Sequence, residues 1–168
     1  LITDELAKLK AEAAHGRING NRRRQAELLM ELGKKQVARG LNTEAIPTYT
    51  DAIAAYEALN NQSGILTSLE ALATLMSKTD NSQAAVLHAT RGVRLAEELR
   101  NEPLQRSLLL ILGDARQQLG ESEDAISTYQ EALDLARAGE DRNTEALALY
   151  KLGYAQLDSG DVEAATAS

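Results

Sequence analysis

The chain has no cysteine, no tryptophan and no phenylalanine, and only two prolines among its 168 residues. Without cysteine there is no disulfide and no thiol chemistry, and the absence favours a cytoplasmic setting. Five tyrosines are the only aromatic residues, so the core must be assembled from Leu, Ala, Ile and Val, which suits closely packed helices. Long apolar runs are missing as well. None approaches the roughly 18 residues that span a bilayer, and the N-terminus lacks the basic-then-apolar layout of a secretory signal. The chain opens on Leu1, so the expectation is a piece of a longer polypeptide with no membrane contact.

Motifs of catalysis and metal binding are also lacking. His15 and His88 stand far apart, and neither has His, Asp or Glu at a spacing consistent with a metal motif. No calcium-loop pattern, phosphate-cradling glycine loop, GxSxG elbow or HExxH pair occurs. Glu121, Glu123 and Asp124 cluster at a turn, where a helix N-terminus favours carboxylates through its dipole alone. The expectation is a chain without catalytic residues, cofactor or metal.

The formal charge is −7, unevenly spread: residues 1–41 hold nine Lys/Arg against five Asp/Glu, and the rest holds nine against twenty. An acidic body repels phosphates, so no nucleic-acid partner is expected. The run Arg22-Arg23-Arg24 has no interleaved aromatic residue and meets Glu27 and Glu31 one turn on, so it reads as a solvated link at a helix start.

What the chain does contain is a repeat. Leu32-Gly33, Leu72-Ala73, Leu112-Gly113 and Leu152-Gly153 recur every 40 residues, each followed after twelve by Ala45, Ala85, Ala125 and Ala165. Tyr49, Ala89 and Tyr129 come four later, and Ala52, Gly92 and Ala132 three after that. A fixed period of this size means stacked units that bury their apolar faces against one another. Helices are expected at 23–39, 43–60, 63–79, 82–100, 103–119, 122–138, 143–159 and from 161 on, with a further helical stretch at 3–15. Gly40, Asp80, Gly120 and Gly160 fall at the turns, where Asn42, Ser82 and Ser122 are expected to cap the next helix. Gly33 facing Ala45 would let two backbones approach, with Tyr49 filling a wedge toward the next unit. Pro47, about one turn into its helix, is expected to loosen or bend that turn.

These residues resemble the tetratricopeptide repeat over about residues 24–168. The 40-residue unit is similar to that family's long-helix subgroup, which includes Pins-type polarity adaptors, kinesin light chains and regulatory regions of bacterial transcription activators. The resemblance implies an all-α, right-handed α-solenoid of stacked helix-turn-helix repeats: 1–22 a partial preceding repeat and link, 23–62, 63–102 and 103–142 full repeats, and 143–168 a truncated fourth, read as one domain. It implies a non-catalytic scaffold that takes a protein or peptide in its concave groove, or alternatively an effector- or peptide-sensing segment of a bacterial regulator. Eukaryotic adaptors often have Asn just before the Leu-Gly pair, whereas this chain has Glu31, Ala71, Ile111 and Lys151.

In such arrays the first helix of each unit lines the concave face. The stripe beside the core stripe comprises Met30, Lys34 and Val37; Glu70, Thr74 and Ser77; Leu110, Asp114 and Gln117; and Tyr150, Tyr154 and Leu157. Lys34 alone is basic there, with Glu70 and Asp114 opposing it, which disfavours a receptor for a terminal carboxylate. Met30, Leu110, Tyr150 and Tyr154 are the expected apolar anchors for a mainly apolar peptide or helix of mixed charge. Leu149, Leu152 and Leu157 would be short of cover at the end, so self-association through uncapped ends is a further expectation. Ala89 and Gly92 make the helix at 82–100 the expected soft point, with Gly92→Ala neutral or stabilising where its methyl fits.

Overall fold

The computed structural model describes residues 2–18 and 20–160. These form eight α-helices: α1 Ile2–Ile18, α2 Arg22–Ala38, α3 Asn42–Glu57, α4 Gln62–Lys78, α5 Ser82–Glu98, α6 Glu102–Gln118, α7 Ser122–Ala138 and α8 Arg142–Asp158. The helix expected from 161 on, with Ala165, lies outside the described residues.

Turns set the period. Each inter-helix link holds a residue of positive φ two positions before the next helix, at Gly20, Gly40, Asn60, Asp80, Arg100, Gly120 and Glu140, and Gly160 follows α8 in the same conformation. From the second link to the last, the residue after the positive-φ position donates its amide five residues back: Leu41 to Gln36, Asn61 to Tyr56, Asn81 to Met76, Asn101 to Ala96, Glu121 to Arg116 and Asp141 to Ala136. That six-to-one bond is the Schellman closure, which satisfies carbonyls orphaned at a helix end. Arg100 and Glu140 adopt φ of 52° and 53° without glycine's freedom, so those two turns carry backbone strain.

The caps differ from the expectation. Asn42 and Ser82 are the first helical residues of α3 and α5, and Ser122 that of α7; the residues before them, Leu41, Asn81 and Glu121, make no side-chain cap. Side-chain caps sit instead at the other helix of each pair. The Oδ1 atoms of Asn21, Asn61, Asn101 and Asp141 accept the amides of Arg24, Gly64, Leu104 and Thr144 at 3.0 to 3.2 Å. Each cap stands three residues before its donor, which supplies one orphaned N–H with an acceptor. Pro47 lies inside an unbroken α3.

The helices group into two compact units, residues 1–75 and 76–168, with the division inside α4. In the first, α1 packs on α2 and α2 on α3; in the second, α5 packs on α6, α6 on α7, and α7 on α8. The glycine of the Leu-Gly pair is room for an aromatic ring. A Cβ on Gly33 would lie 2.6 Å from Tyr49 Cε1, and one on Gly113 would collide with the Tyr129 ring. Gly33 therefore faces the tyrosine ring of its own helix pair. At Gly92 a Cβ would stand 2.9 Å from both terminal carbons of Leu108, a fully buried side chain. A methyl does not fit there unless the Leu108 side chain shifts, so the condition attached to a neutral Gly92→Ala is not met as the core stands.

Ion pairs lock neighbouring helices. In the first unit Glu5 of α1 joins Lys35 at 2.6 Å and Arg39 at 2.8 Å on α2; the Lys35 hydrogen bond, more than any other influence, holds the Glu5 carboxyl below its ordinary range. In the second unit the buried Arg106 meets Glu102 at 3.5 Å and Asp141 at 3.4 Å. Gly139 makes the space for it, since a Cβ there would fall 2.7 Å from Arg106 Nη1.

Candidate functional site

Burial divides the twelve stripe residues. In the first unit Met30 is buried, its sulfur 3.1 Å from the Ser68 hydroxyl. Lys34 and Val37 are exposed. Glu70 and Thr74 are half-buried, the Thr74 hydroxyl donating to the Glu70 carbonyl at 2.7 Å. In the second unit Ser77 and Leu110 are buried and Asp114 and Gln117 half-buried, while Tyr150, Tyr154 and Leu157 stand open. Met30 and Leu110 are thus packing residues and not the open anchors expected of them. The face beside the core stripe is partly used up in helix contacts, as Met30 against Ser68 of α4 illustrates.

α8 groups several exposed apolar residues on one helix. Leu147, Tyr150, Tyr154 and Leu157 are 44%, 71%, 57% and 54% exposed. Their spacing of three, four and three residues lays them along one helix face. Leu149 is half-buried and Leu152 buried, so of the three leucines expected to lack cover only Leu157 does so. Asp141 starts this helix: its carboxylate accepts the Thr144 amide at 3.1 Å and the Thr144 hydroxyl at 2.6 Å. Those Thr144 bonds, with Arg106 nearby, hold the Asp141 carboxyl below its ordinary value.

Beside the stripe lies a polar floor built by α6, α7 and α8. Lys151 donates to both Asp114 oxygens, at 2.6 and 2.9 Å. The Tyr129 hydroxyl, from α7, donates to Asp114 Oδ1 at 2.7 Å, with Gln117 Oε1 at 3.2 Å. Burial first, and then the Asp114 hydrogen bond and charge, push the Tyr129 hydroxyl pKa far up, so it remains a neutral donor. Asp114, Gln117, Tyr150, Lys151 and Tyr154 line a cleft of about 220 Å³. A neighbouring cleft of about 540 Å³ shares Asp114, Gln117 and Tyr154 and adds Ser77, Lys78, Asp80, Gln118 and Asp158. Gln118 is fixed there, donating to the Ser77 carbonyl at 3.2 Å and accepting the Ser82 hydroxyl at 2.8 Å.

Sequence spacing along one helix does not identify Lys151, Tyr129, Lys78, Asp80, Gln118 or Asp158 as part of this face. A signal does exist. Met30 meets Ser68, and Asp114 meets Lys151, at separations of 38 and 37 residues. A residue of one helix pair thus reaches the next pair just short of the 40-residue period, which is where a complementary partner should be sought.

The arrangement presents two exposed aromatic rings and two exposed aliphatic side chains beside a charge-compensated polar floor. Among the described residues no group of three His, Asp or Glu is placed to hold a metal ion. His88 is half-buried, and burial, followed by the Arg91 charge, lowers its pKa. No described helix is long and apolar enough to cross a membrane.

Residues 108–143, running from within α6 to the start of α8, match the family model described as Tetratricopeptide repeat. That segment carries a tetratricopeptide repeat. No curated protein matches its sequence. Among solved structures it is similar to the apo form of RapI, with a TM-score of 0.79 and 12% identity over 95% of this chain and 46% of that one. It is similar to a Rap protein complexed with Competence and Sporulation Factor, at 0.72 and 13%, covering 84% of this chain and 40% of that one. A putative kinesin light chain from Podosopora anserina, with nearly identical tetratricopeptide-like repeats, aligns at 0.70 and 15% over 96% of this chain and 90% of its own. At these identities the likeness is one of fold, that of the all-α tetratricopeptide solenoids. The chain spans less than half the length of RapI.

Proposed function

We propose that the chain is a non-catalytic interaction module of a larger protein, and that it seats a peptide or helix of a protein partner against the α6–α8 face of its second unit. Stacked-helix repeats offer extended binding surfaces of this kind. The observation that carries the reading is the open stripe Leu147, Tyr150, Tyr154 and Leu157 beside the closed Lys151–Asp114–Tyr129 floor. Tyrosine offers a large rigid contact area with a polar tip, and such residues dominate binding energy at interfaces. One repeat earlier α6 has Ser107, Leu110, Asp114 and Gln117 at the corresponding positions. A helix left bare by chance would carry similar residues. Three of the four are polar in α6 and all four are apolar or aromatic in α8, which is the composition of an interface. In this reading Ser77, Asp114 and Gln117 belong to the floor, and Lys34, Val37, Glu70 and Thr74 of the first unit are a secondary surface.

The test is affinity capture with the wild type and with a Tyr150→Ala/Tyr154→Ala variant. Loss of a captured protein with unchanged helicity and melting supports the reading; equal capture by both moves the site elsewhere. A second reading, a segment that senses a peptide or other effector within a regulator, is favoured by the fold likeness to the Rap protein solved with Competence and Sporulation Factor. It requires a ligand-dependent change in small-angle scattering, which a rigid scaffold would not give.

A further inference from the structure

Charge is not shared evenly between the units. Residues 1–75 hold nine Lys/Arg and nine Asp/Glu, whereas residues 76–168 hold nine against sixteen. The formal charge of −7 therefore resides wholly in the unit that carries the α8 stripe. Close to the stripe, Lys151 is already committed to both oxygens of Asp114. That leaves Asp80 and Asp158 facing Lys78 in the adjoining cleft, so the charge still open to a ligand is net negative. Two exposed tyrosine rings one helical turn apart border the same cleft system, and a ring face beside carboxylates attracts a guanidinium or ammonium group.

Resting on the binding reading above, we infer that the occupant of the α8 face is a basic amphipathic segment of another protein. Its aliphatic residues lie on Leu147 and Leu157, its Arg or Lys side chains cross Tyr150 and Tyr154, and their charges meet Asp80 and Asp158. An acidic segment would meet uncompensated carboxylates and the field of the whole unit. A second copy of this chain would bring another −7 to the interface, which opposes self-association through this face.

Two labelled synthetic helices of about 18 residues, long enough to hold helical structure, share one Leu/Ala stripe and differ only in Arg or Glu at the polar positions. Binding to the intact chain is followed by fluorescence anisotropy. The Arg peptide is expected to bind at least about tenfold more tightly than the Glu peptide and to weaken about tenfold between about 50 and 300 mM salt. The Tyr150→Ala/Tyr154→Ala variant keeps every charge, so abolition of binding by it separates docking from diffuse attraction, and Asp80→Asn/Asp158→Asn should cost severalfold. If the Glu peptide binds as well and depends on the two tyrosines, the face stands as a binding site and the basic preference is overturned. If neither peptide binds although capture of a partner needs the tyrosines, the preference is again overturned. If capture ignores the tyrosines, the binding reading itself falls. A dimer in sedimentation that dissociates on Tyr150→Ala/Tyr154→Ala would make a second copy the occupant and refute the inference.

Discussion

α6 and α8 hold the same place in consecutive repeats and use it differently. On α6, Leu110 is buried, the Tyr129 ring lies over Gly113, and Asp114 accepts the Tyr129 hydroxyl at 2.7 Å. On α8, Tyr150 is 71% exposed and no described residue comes within 4 Å of a Cβ placed on Gly153. α6 commits its apolar surface and its glycine notch to packing, whereas on α8 both are open to the described residues. One repeat register can therefore serve packing in one repeat and, in the reading proposed above, recognition in the next.

The contrast breaks most sharply at its glycines. Gly113→Ala forces the buried Tyr129 ring aside, and overpacking of this kind costs about 1 to 3 kcal/mol. Gly153→Ala should instead leave stability unchanged or raise it by about 0.5 to 1 kcal/mol, the helical advantage of alanine. The melting temperature should fall for Gly113→Ala and hold or rise for Gly153→Ala, and matching losses would show that the notch at Gly153 is filled. Gly92→Ala belongs with Gly113 in this scheme, because Leu108 is fully buried; a rise in melting temperature there would refute the packing account.

Caps and turns test whether both helices are held by the same local devices. Asn101→Ala removes the side-chain acceptor of the Leu104 amide at the start of α6, and a lost N-cap costs about 1 kcal/mol. Its counterpart Asn81→Ala should cost little, since Asn81 makes no side-chain cap. Denaturant titration resolves the difference. Arg100→Gly and Glu140→Gly each relieve a positive φ and should stabilise by about 0.5 to 1 kcal/mol, measured in the same way.

The smallest effect is pH-dependent and local to α8. The Asp141 carboxyl lies below its ordinary value of 3.8, so its contribution is complete above that pH and is lost as pH falls through the lower folded value. The amide resonance of Thr144 should shift over that acid window in the wild type. In Asp141→Asn, which keeps an acceptor without a titrating group, the shift should vanish; its persistence would assign the acid response to another carboxylate.

Much of this architecture is legible in the chain alone because it is written locally. Helical spacing and the Leu-Gly pairs reveal the period, and turn residues such as Gly40 and Gly120 mark the ends. The side-chain caps fall on the other helix of each pair from the one spacing suggests, because a cap is defined by backbone angles and not by residue type: Asn81 and Ser82 can both cap on paper, and Asn81, at the cap position of α5, makes no such bond. The floor is less legible still. Asp114, Tyr129 and Lys151 belong to three helices, and their convergence is decided by how those helices pack. Met30 and Tyr150 share a repeat position but differ in burial for the same reason: Met30 lies against Ser68, and Tyr150 stands open.

Site-specific photo-cross-linking tests the recognition role of α8 most directly. A photoreactive phenylalanine analogue at Tyr154 is compared with the same analogue at Leu87, which is 66% exposed on α5 away from the described stripe. The account predicts a covalent adduct with one partner protein at position 154, competed by the Arg peptide, and none at position 87. Adducts of equal yield at both positions, or at position 87 alone, would contradict it.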